Sequence, residues 1–233
     1  MKKATTDNLF CDKCKSNTCS IIKSCTPEQI DNVSTNKSCS SYKRGEALFH
    51  EGGMPLGLFC INSGSVKIIK QASGGKEQIV RIATKGDMVG YRSLLMKQRY
   101  TATAIASEDS KVCLIPREEF YKLTLENHKF YDAVIQKLCE ELEDSHTKIA
   151  DIAYKPVRGR LAEALLLLSQ TNSDIKNEIN LTRDDLASFV GTVKETTIRI
   201  LAEFKDEGLI VLDKRTIKLI NVAGLERISN IYD

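Results

Sequence analysis

No apolar run in this 233-residue sequence approaches the roughly 20 residues needed to cross a bilayer, which excludes a spanning helix. No apolar h-region opens it, so a secretory signal is not expected. Eight cysteines are too few for a disulfide scaffold, which needs more than about 8–10% of residues. The expected compartment is therefore the cytoplasm, where thiols stay reduced and the cysteines need another explanation. Charge of one sign is also lacking: the formal net charge is only +3. That excludes a strongly basic coat for nucleic acid and leaves DNA contact to a local arrangement of side chains.

What is present falls into four stretches. Residues 1–40 hold Cys11, Cys14, Cys19, Cys25 and Cys39 among polar residues, a composition that cannot build a core alone. A bound metal or docking onto the next domain would order it. Thr26 and Pro27 read as the cap and first position of a short helix. Residues 41–124 alternate short apolar stretches with turns such as Gly52-Gly53 and Lys85-Gly-Asp87. Ala47–Phe49, Gly57–Ile61, Val66–Ile69, Gln78–Ile82, Thr101–Ala106 and Val112–Ile115 read as the strands of one small all-β unit.

Residues 125–155 read as one long helix. Ile135, Leu138, Leu142, Ser145, Ile149 and Ile152 follow one another at alternating steps of three and four, a heptad seam with one polar interruption. The seam predicts a homodimer; an apolar face lying on the β-unit is the alternative.

Residues 156–233 read as helix, polar loop, two short helices and a hairpin. Thr182 caps a helix whose buried face is Leu186, Ala187, Phe189 and Val190, Gly191 makes the turn, and a second helix runs from about Val193 to Glu207. Leu209–Leu212 and Thr216–Ile220 then form a two-stranded wing, the order of a winged helix-turn-helix. On the second helix Ile198, Ile200 and Leu201 are assigned to the core. Lys194, Glu195, Thr196 and Arg199 are left as groove readers, with Thr182 as a further DNA contact. Arg pairs bidentately with guanine O6 and N7, Glu accepts from cytosine N4, and Lys reaches guanine or phosphate. A merely solvated helix face would show the same charges, but not the wing behind them.

These features resemble the CRP/FNR superfamily over essentially the whole chain. The segment from Thr192 to Leu201 is similar to that family's recognition helix, in which a Glu and an Arg spaced like Glu195 and Arg199 read a TGA-type half-site. The resemblance implies an α+β architecture: an N-terminal cyclic-nucleotide-binding-like β-barrel, a long dimerisation helix and a C-terminal winged helix-turn-helix. It also implies a transcriptional regulator rather than an enzyme, with double-stranded palindromic DNA and RNA polymerase as partners and no membrane. Lys194 stands where the catabolite-activator branch has Arg, and Ile198 where the FNR branch has Ser.

The stretch from Gly86 to Leu94, followed by Arg99–Thr103, resembles the phosphate-and-ribose site of the cyclic-nucleotide branch. Tyr91 replaces its ribose-binding Glu, while Arg99 and Thr101 would still suit a phosphate. Cys19 and Cys25, with the strand around Cys113, look like the cysteines of oxygen-sensing FNR regulators. That resemblance implies a 4Fe–4S cluster on Cys14, Cys19, Cys25 and Cys113, with Cys11 as substitute for Cys14, since such clusters take four thiolates. The order departs from the family, because Cys11-Asp-Lys-Cys14 is the sole CxxC and four residues separate it from Cys19. Zinc on Cys11, Cys14, Cys19 and Cys25, a thiol–disulfide switch, a nucleotide or other small ligand, and no effector remain alternatives. Cys39, Cys60 and Cys139 fit no ligand pattern and read as small hydrophobes. A redox enzyme built on the CxxC lacks the surrounding βαβ pattern. A cyclic-nucleotide module without DNA binding leaves the C-terminal third unexplained.

Overall fold

The computed structural model describes residues 21–230, apart from 72, 172–176 and 215. The chain divides into two compact units. One holds the chain up to Ser73 with Val80–Leu142; the other holds Gly74–Ile79 with the chain from Glu143 onward. The division falls inside the long helix. No helix among the described residues is long and apolar enough to cross a membrane.

Among the described residues, the first unit starts with a 3-10 turn, Ile22–Ser24, and helix α1, Pro27–Asn36. Thr26 and Gln29 form a reciprocal capping box at the start of α1, with Pro27 at its first position. Strands β1 (Ser38–Tyr42), β2 (Ala47–Phe49), β3 (Gly57–Ser63), β4 (Ser65–Gln71), β5 (Glu77–Thr84) and β6 (Met88–Val89) follow. Helix α2 (Tyr91–Leu95), strands β7 (Thr103–Ala106) and β8 (Ser110–Pro116), helix α3 (Arg117–Glu126) and helix α4 (His128–Tyr154) complete it, α4 continuing into the second unit. The strands form two four-stranded sheets, β1-β8-β3-β6 and β2-β7-β4-β5.

Period-two alternation sorts the side chains of the first sheet. Phe59, Ile61 and Val112 point between the sheets, packing with Val66, Ala83 and Ala104. Leu58 and Ile115 point the other way, into a core with Ile21, Val33, Tyr91, Phe120, Phe130 and Val134 from the helices. Gly57 is required where β3 meets β8: a Cβ there would lie 2.0 Å from the Ile115 carbonyl oxygen.

Residues 21–37 are thus ordered by docking. Ile21, Cys25 and Val33 are all buried in the helix-side core. Asn127 ties this segment down. It separates α3 from α4, the long helix expected over 125–155, and its Oδ1 accepts from the Phe130 amide at the start of α4. Its Nδ2 donates to the Ser24 carbonyl and to Gln29 Oε1.

In the second unit, α5 (Val157–Thr171), β9 (Glu178–Asn180), α6 (Arg183–Val190), α7 (Lys194–Asp206), β10 (Ile210–Asp213), β11 (Thr216–Leu219) and α8 (Val222–Asn230) follow the second half of α4. The sheet order is β10-β11-β9, so the wing has a third strand. Ile179, expected at the end of a polar loop, is buried because it pairs with Ile217 on β11. Helix α5 packs against α6 and α8, and Leu161, Leu165, Leu186, Phe204 and Leu225 are fully buried.

Candidate nucleic-acid interface and sensor cysteines

The geometry of α6 and α7 is set locally. The Asp185 amide donates to Thr182 Oγ1 at 3.0 Å, capping α6. Gly191 ends it in the left-handed region, at φ 76° and ψ 49°, a conformation that glycine adopts at no steric cost. Thr192 donates back to the Ala187 carbonyl, and α7 starts at Lys194. Its buried face is Thr197, Ile200, Leu201 and Phe204, the i, i+3, i+4, i+7 stripe of an amphipathic helix.

That stripe corrects one assignment. Ile198 is not in the core: it is 48% exposed, on the outer face with Lys194, Glu195 and Arg199, while Thr197 takes the buried place. Thr196 is half-buried beside them. The outer face therefore carries a cation, a carboxylate, an aliphatic group and a guanidinium. Such a set can address guanine, cytosine and the thymine methyl in the major groove.

The two basic side chains of this face, Lys194 and Arg199, are each paired with a carboxylate. Lys194 Nζ lies 2.8 Å from Asp184 Oδ2, and that hydrogen bond raises the ammonium pKa above the ordinary lysine value. Arg199 pairs with Glu203 one turn along α7. Glu203 also accepts from Arg158 at 2.9 Å, while Arg158 bonds Glu207 and stacks over Phe204, 4.8 Å from the ring centroid. Glu195 lies in the first turn of α7, where a negative charge suits the helix dipole.

In the first unit, Cys113 on β8 pairs in register with Cys39 on β1 and with Cys60 on β3. Directly paired residues of antiparallel strands share a face, so three cysteines form one row across three adjacent strands. Cys39 and Cys113 are joined in a disulfide. Cys60 packs against the helix-side core that contains Cys25. Sequence reasoning missed this row, treating Cys39 and Cys60 as isolated hydrophobes.

Of the predicted cluster ligands, Cys11, Cys14 and Cys19 lie outside the described residues. Cys25 is buried, at the end of the 3-10 turn. Cys113 is spent on Cys39, and a half-cystine is not the thiolate that a cluster takes. Among the described residues, no group of three His, Cys, Asp or Glu side chains is placed to hold a metal ion. In this state the described donors do not fit the cluster.

Residues 39–127 match the model of the cyclic nucleotide-binding domain, and residues 159–228 that of the Crp-like helix-turn-helix domain, together more than half of the chain. The chain belongs to the CRP/FNR family. It is a DNA-binding transcriptional regulator and not an enzyme. It is 26% identical to the cyclic AMP receptor protein of Thermus thermophilus over 203 residues, covering 87% of this chain and 93% of that one. It is 28% identical to the anaerobic regulatory protein of Bacillus subtilis over 200 residues, covering 83% of each. The fold is similar to the crystal structure of a putative CRP/FNR-family regulator from Eubacterium rectale, with TM-score 0.74 and 22% identity, covering 91% of this chain and 99% of that one.

The residues of this CRP/FNR chain that the resemblance matches to a cyclic-nucleotide site differ in exposure. Arg99 is exposed and donates to the Gly52 carbonyl at 2.8 Å, and Thr101 is exposed. Tyr100 is buried and stacks on Phe49, its hydroxyl accepting from the Leu56 amide. Tyr91, in place of the ribose-binding Glu, is fully buried in the helix-side core, and burial together with the nearby charge of Glu141 pushes its pKa up. Glu141 on α4 is paired with Arg81 on β5, which also bridges to Asp87 at 3.1 Å. Of the seam residues, Leu142, Ile149 and Ile152 are exposed, Ile135 is half-buried, and Leu138 packs against its own unit's core.

Proposed function

We propose that the protein acts as a homodimer that binds palindromic DNA with TGA-type half-sites and works with RNA polymerase, its signal entering through the cysteine-bearing face of the sensor unit. The observation that carries the DNA reading is the outer face of α7, where Lys194, Glu195, Ile198 and Arg199 stand together on a helix braced by the α6 turn. The dimer reading is supported by the exposed apolar stripe Leu142, Ile149 and Ile152 on α4. A two-fold dimer presents its recognition helices to successive major grooves about 34–36 Å apart.

The DNA reading is tested by Arg199→Ala, measured by gel retardation on a TGA-type palindrome against a scrambled duplex of equal length. Loss of one bidentate guanine contact costs about 1–3 kcal/mol per half-site, so the preference for the palindrome should collapse. An unchanged preference contradicts the assignment of α7.

For the signal, a 4Fe–4S cluster responding to oxygen or redox state is supported by the spacing of Cys19 and Cys25 and by the likeness to an anaerobic regulatory protein. It requires the Cys39–Cys113 bond to be reduced first, because Cys113 must become a thiolate. Iron and sulfide assays on anaerobically purified protein, before and after a dithiol reductant, test this. A protein that binds neither after reduction has no such cluster.

A further inference from the structure

We propose that Cys113 is the hub of a thiol–disulfide exchange site, with Cys39 and Cys60 as alternative partners on either side of it. The site rests on strand register and needs no metal, so it stands or falls separately from the cluster reading.

The placement comes from the sheet. Strand β8 lies between β1 and β3, and Cys113 is directly opposite Cys39 on one side and Cys60 on the other. Opposed residues of antiparallel strands hold their Cβ atoms about 4.5–5.5 Å apart, close to the spacing a disulfide spans. All three side chains leave the sheet on the face of Leu58 and Ile115, because Cys60 and Cys113 alternate with Phe59, Ile61 and Val112 on the other face. Cys113 is buried, whereas Cys39 and Cys60 are half-buried, so the flanking sulfurs meet solvent more readily than the hub.

The geometry suits exchange. Displacement at a disulfide sulfur proceeds with the attacking thiolate opposite the leaving sulfur. Cys60 and Cys39 lie on opposite neighbours of β8, which puts attacker and leaving group on opposite sides of Cys113. The step balances internally. Cys60 gives up its proton, its sulfur bonds to Cys113 Sγ, the Cys39–Cys113 bond breaks, and its electron pair leaves on Cys39 Sγ, which takes a proton. One disulfide and one thiol remain throughout. Entry into the oxidised state uses a low-molecular-weight disulfide: two exchanges join Cys39 to Cys113 and release two small thiols. A dithiol reverses it.

The two disulfides have different reach. Cys39–Cys113 links β1, which follows the cysteine-rich N-terminal stretch, to the sheet across 74 residues of sequence. Cys60–Cys113 links two central strands and leaves β1 without a covalent tie to the sheet. Moving the bond therefore changes how firmly β1 is tied to β8, and either disulfide keeps Cys113 from acting as a thiolate.

The test uses the full chain, treated with a chelator, equilibrated with reduced and oxidised glutathione, acid-quenched, alkylated and mapped as non-reduced peptides by mass spectrometry. Wild type should give the Cys39–Cys113 peptide. Cys39→Ser should give Cys60–Cys113 as its main disulfide, and Cys113→Ser should link neither partner to the other. Should Cys39→Ser fail to fold, oxidised wild type held at mildly alkaline pH without reductant should accumulate Cys60–Cys113 with Cys39 alkylated. Absence of any Cys60–Cys113 link in both arms overturns the hub and leaves a fixed structural disulfide; absence of Cys39–Cys113 in wild type overturns the site altogether.

Discussion

Ile198 shows what a short window of sequence hides. Apolar residues at 198, 200 and 201 cannot all face inward on one helix, and the choice depends on a longer stripe reaching Phe204, which buries Thr197 instead. Its exposure between Glu195 and Arg199 makes it a candidate for contact with a thymine methyl, which a substitution in the DNA can test. Replacing one contacted thymine by uracil, which lacks only the methyl, should weaken wild-type binding by roughly 1 kcal/mol and leave Ile198→Ser unaffected. Titrations with the two duplexes decide it: equal wild-type affinities remove Ile198 from the readers.

A second residue-scale outcome concerns Lys148. Its ammonium donates to the Ile79 carbonyl at 3.1 Å and lies 4.3 Å above the Phe189 ring, within the second unit. Burial lowers its pKa from 10.5 to about 8. The folded chain thus loses this proton before the unfolded chain does, and between about pH 8 and 10.5 the unfolded state binds more protons. Stability of this unit should rise through that window, by at most roughly 3 kcal/mol before solvent screening is considered. Lys148→Met should flatten the rise. Urea midpoints of both proteins across the window provide the check, and parallel curves would show that Lys148 carries no linkage.

At the scale of elements, legibility followed locality. The cap at Thr26, the turn at Gly191 and the start of α6 rest on rules spanning a few residues, and the structure has them where the sequence places them. Strand β1, Ser-Cys-Ser-Ser-Tyr, has no apolar run and forms because β8 offers it an edge. The cysteine row was illegible for the same reason, since register is set by pairing between strands distant in sequence. Asn127 belongs to both classes: its Oδ1 caps α4 locally at the Phe130 amide, whereas its Nδ2 bonds to Ser24 and Gln29 are tertiary. Asn127→Ala leaves the Ser24 carbonyl and the Phe130 amide without these bonds and should destabilise the first unit by about 1–3 kcal/mol. It should also speed hydrogen exchange in residues 21–37, measured by mass spectrometry. Unchanged exchange there would mean that the apolar contacts of Ile21 and Val33 suffice.

The heptad seam was visible in the sequence, and the structure adds which part of it is spent within the chain. Leu138 packs against its own core, whereas Leu142, Ile149 and Ile152 are exposed, Ile149 by 66%. A carboxylate at the most exposed position should be harmless to a monomer and damaging to a dimer. Ile149→Glu is expected to raise the dimer dissociation constant at least tenfold, about 1.4 kcal/mol, read by sedimentation equilibrium. A mass unchanged from wild type would move the interface elsewhere.

For the whole molecule, the modest net charge agrees with DNA recognition by one helix per protomer, doubled by assembly, rather than by a basic surface. The central claim is that two copies offer α7 to successive turns of one face of the duplex. Affinity for the TGA-type palindrome, measured as base pairs are inserted between its half-sites, tests that claim most directly. An insertion of about five base pairs turns the half-sites to opposite faces, and about ten restores the phase. The account predicts a steep loss at five and partial recovery at ten, with two protomers bound per site. Affinity indifferent to the insertions, or one protomer per site, would contradict it.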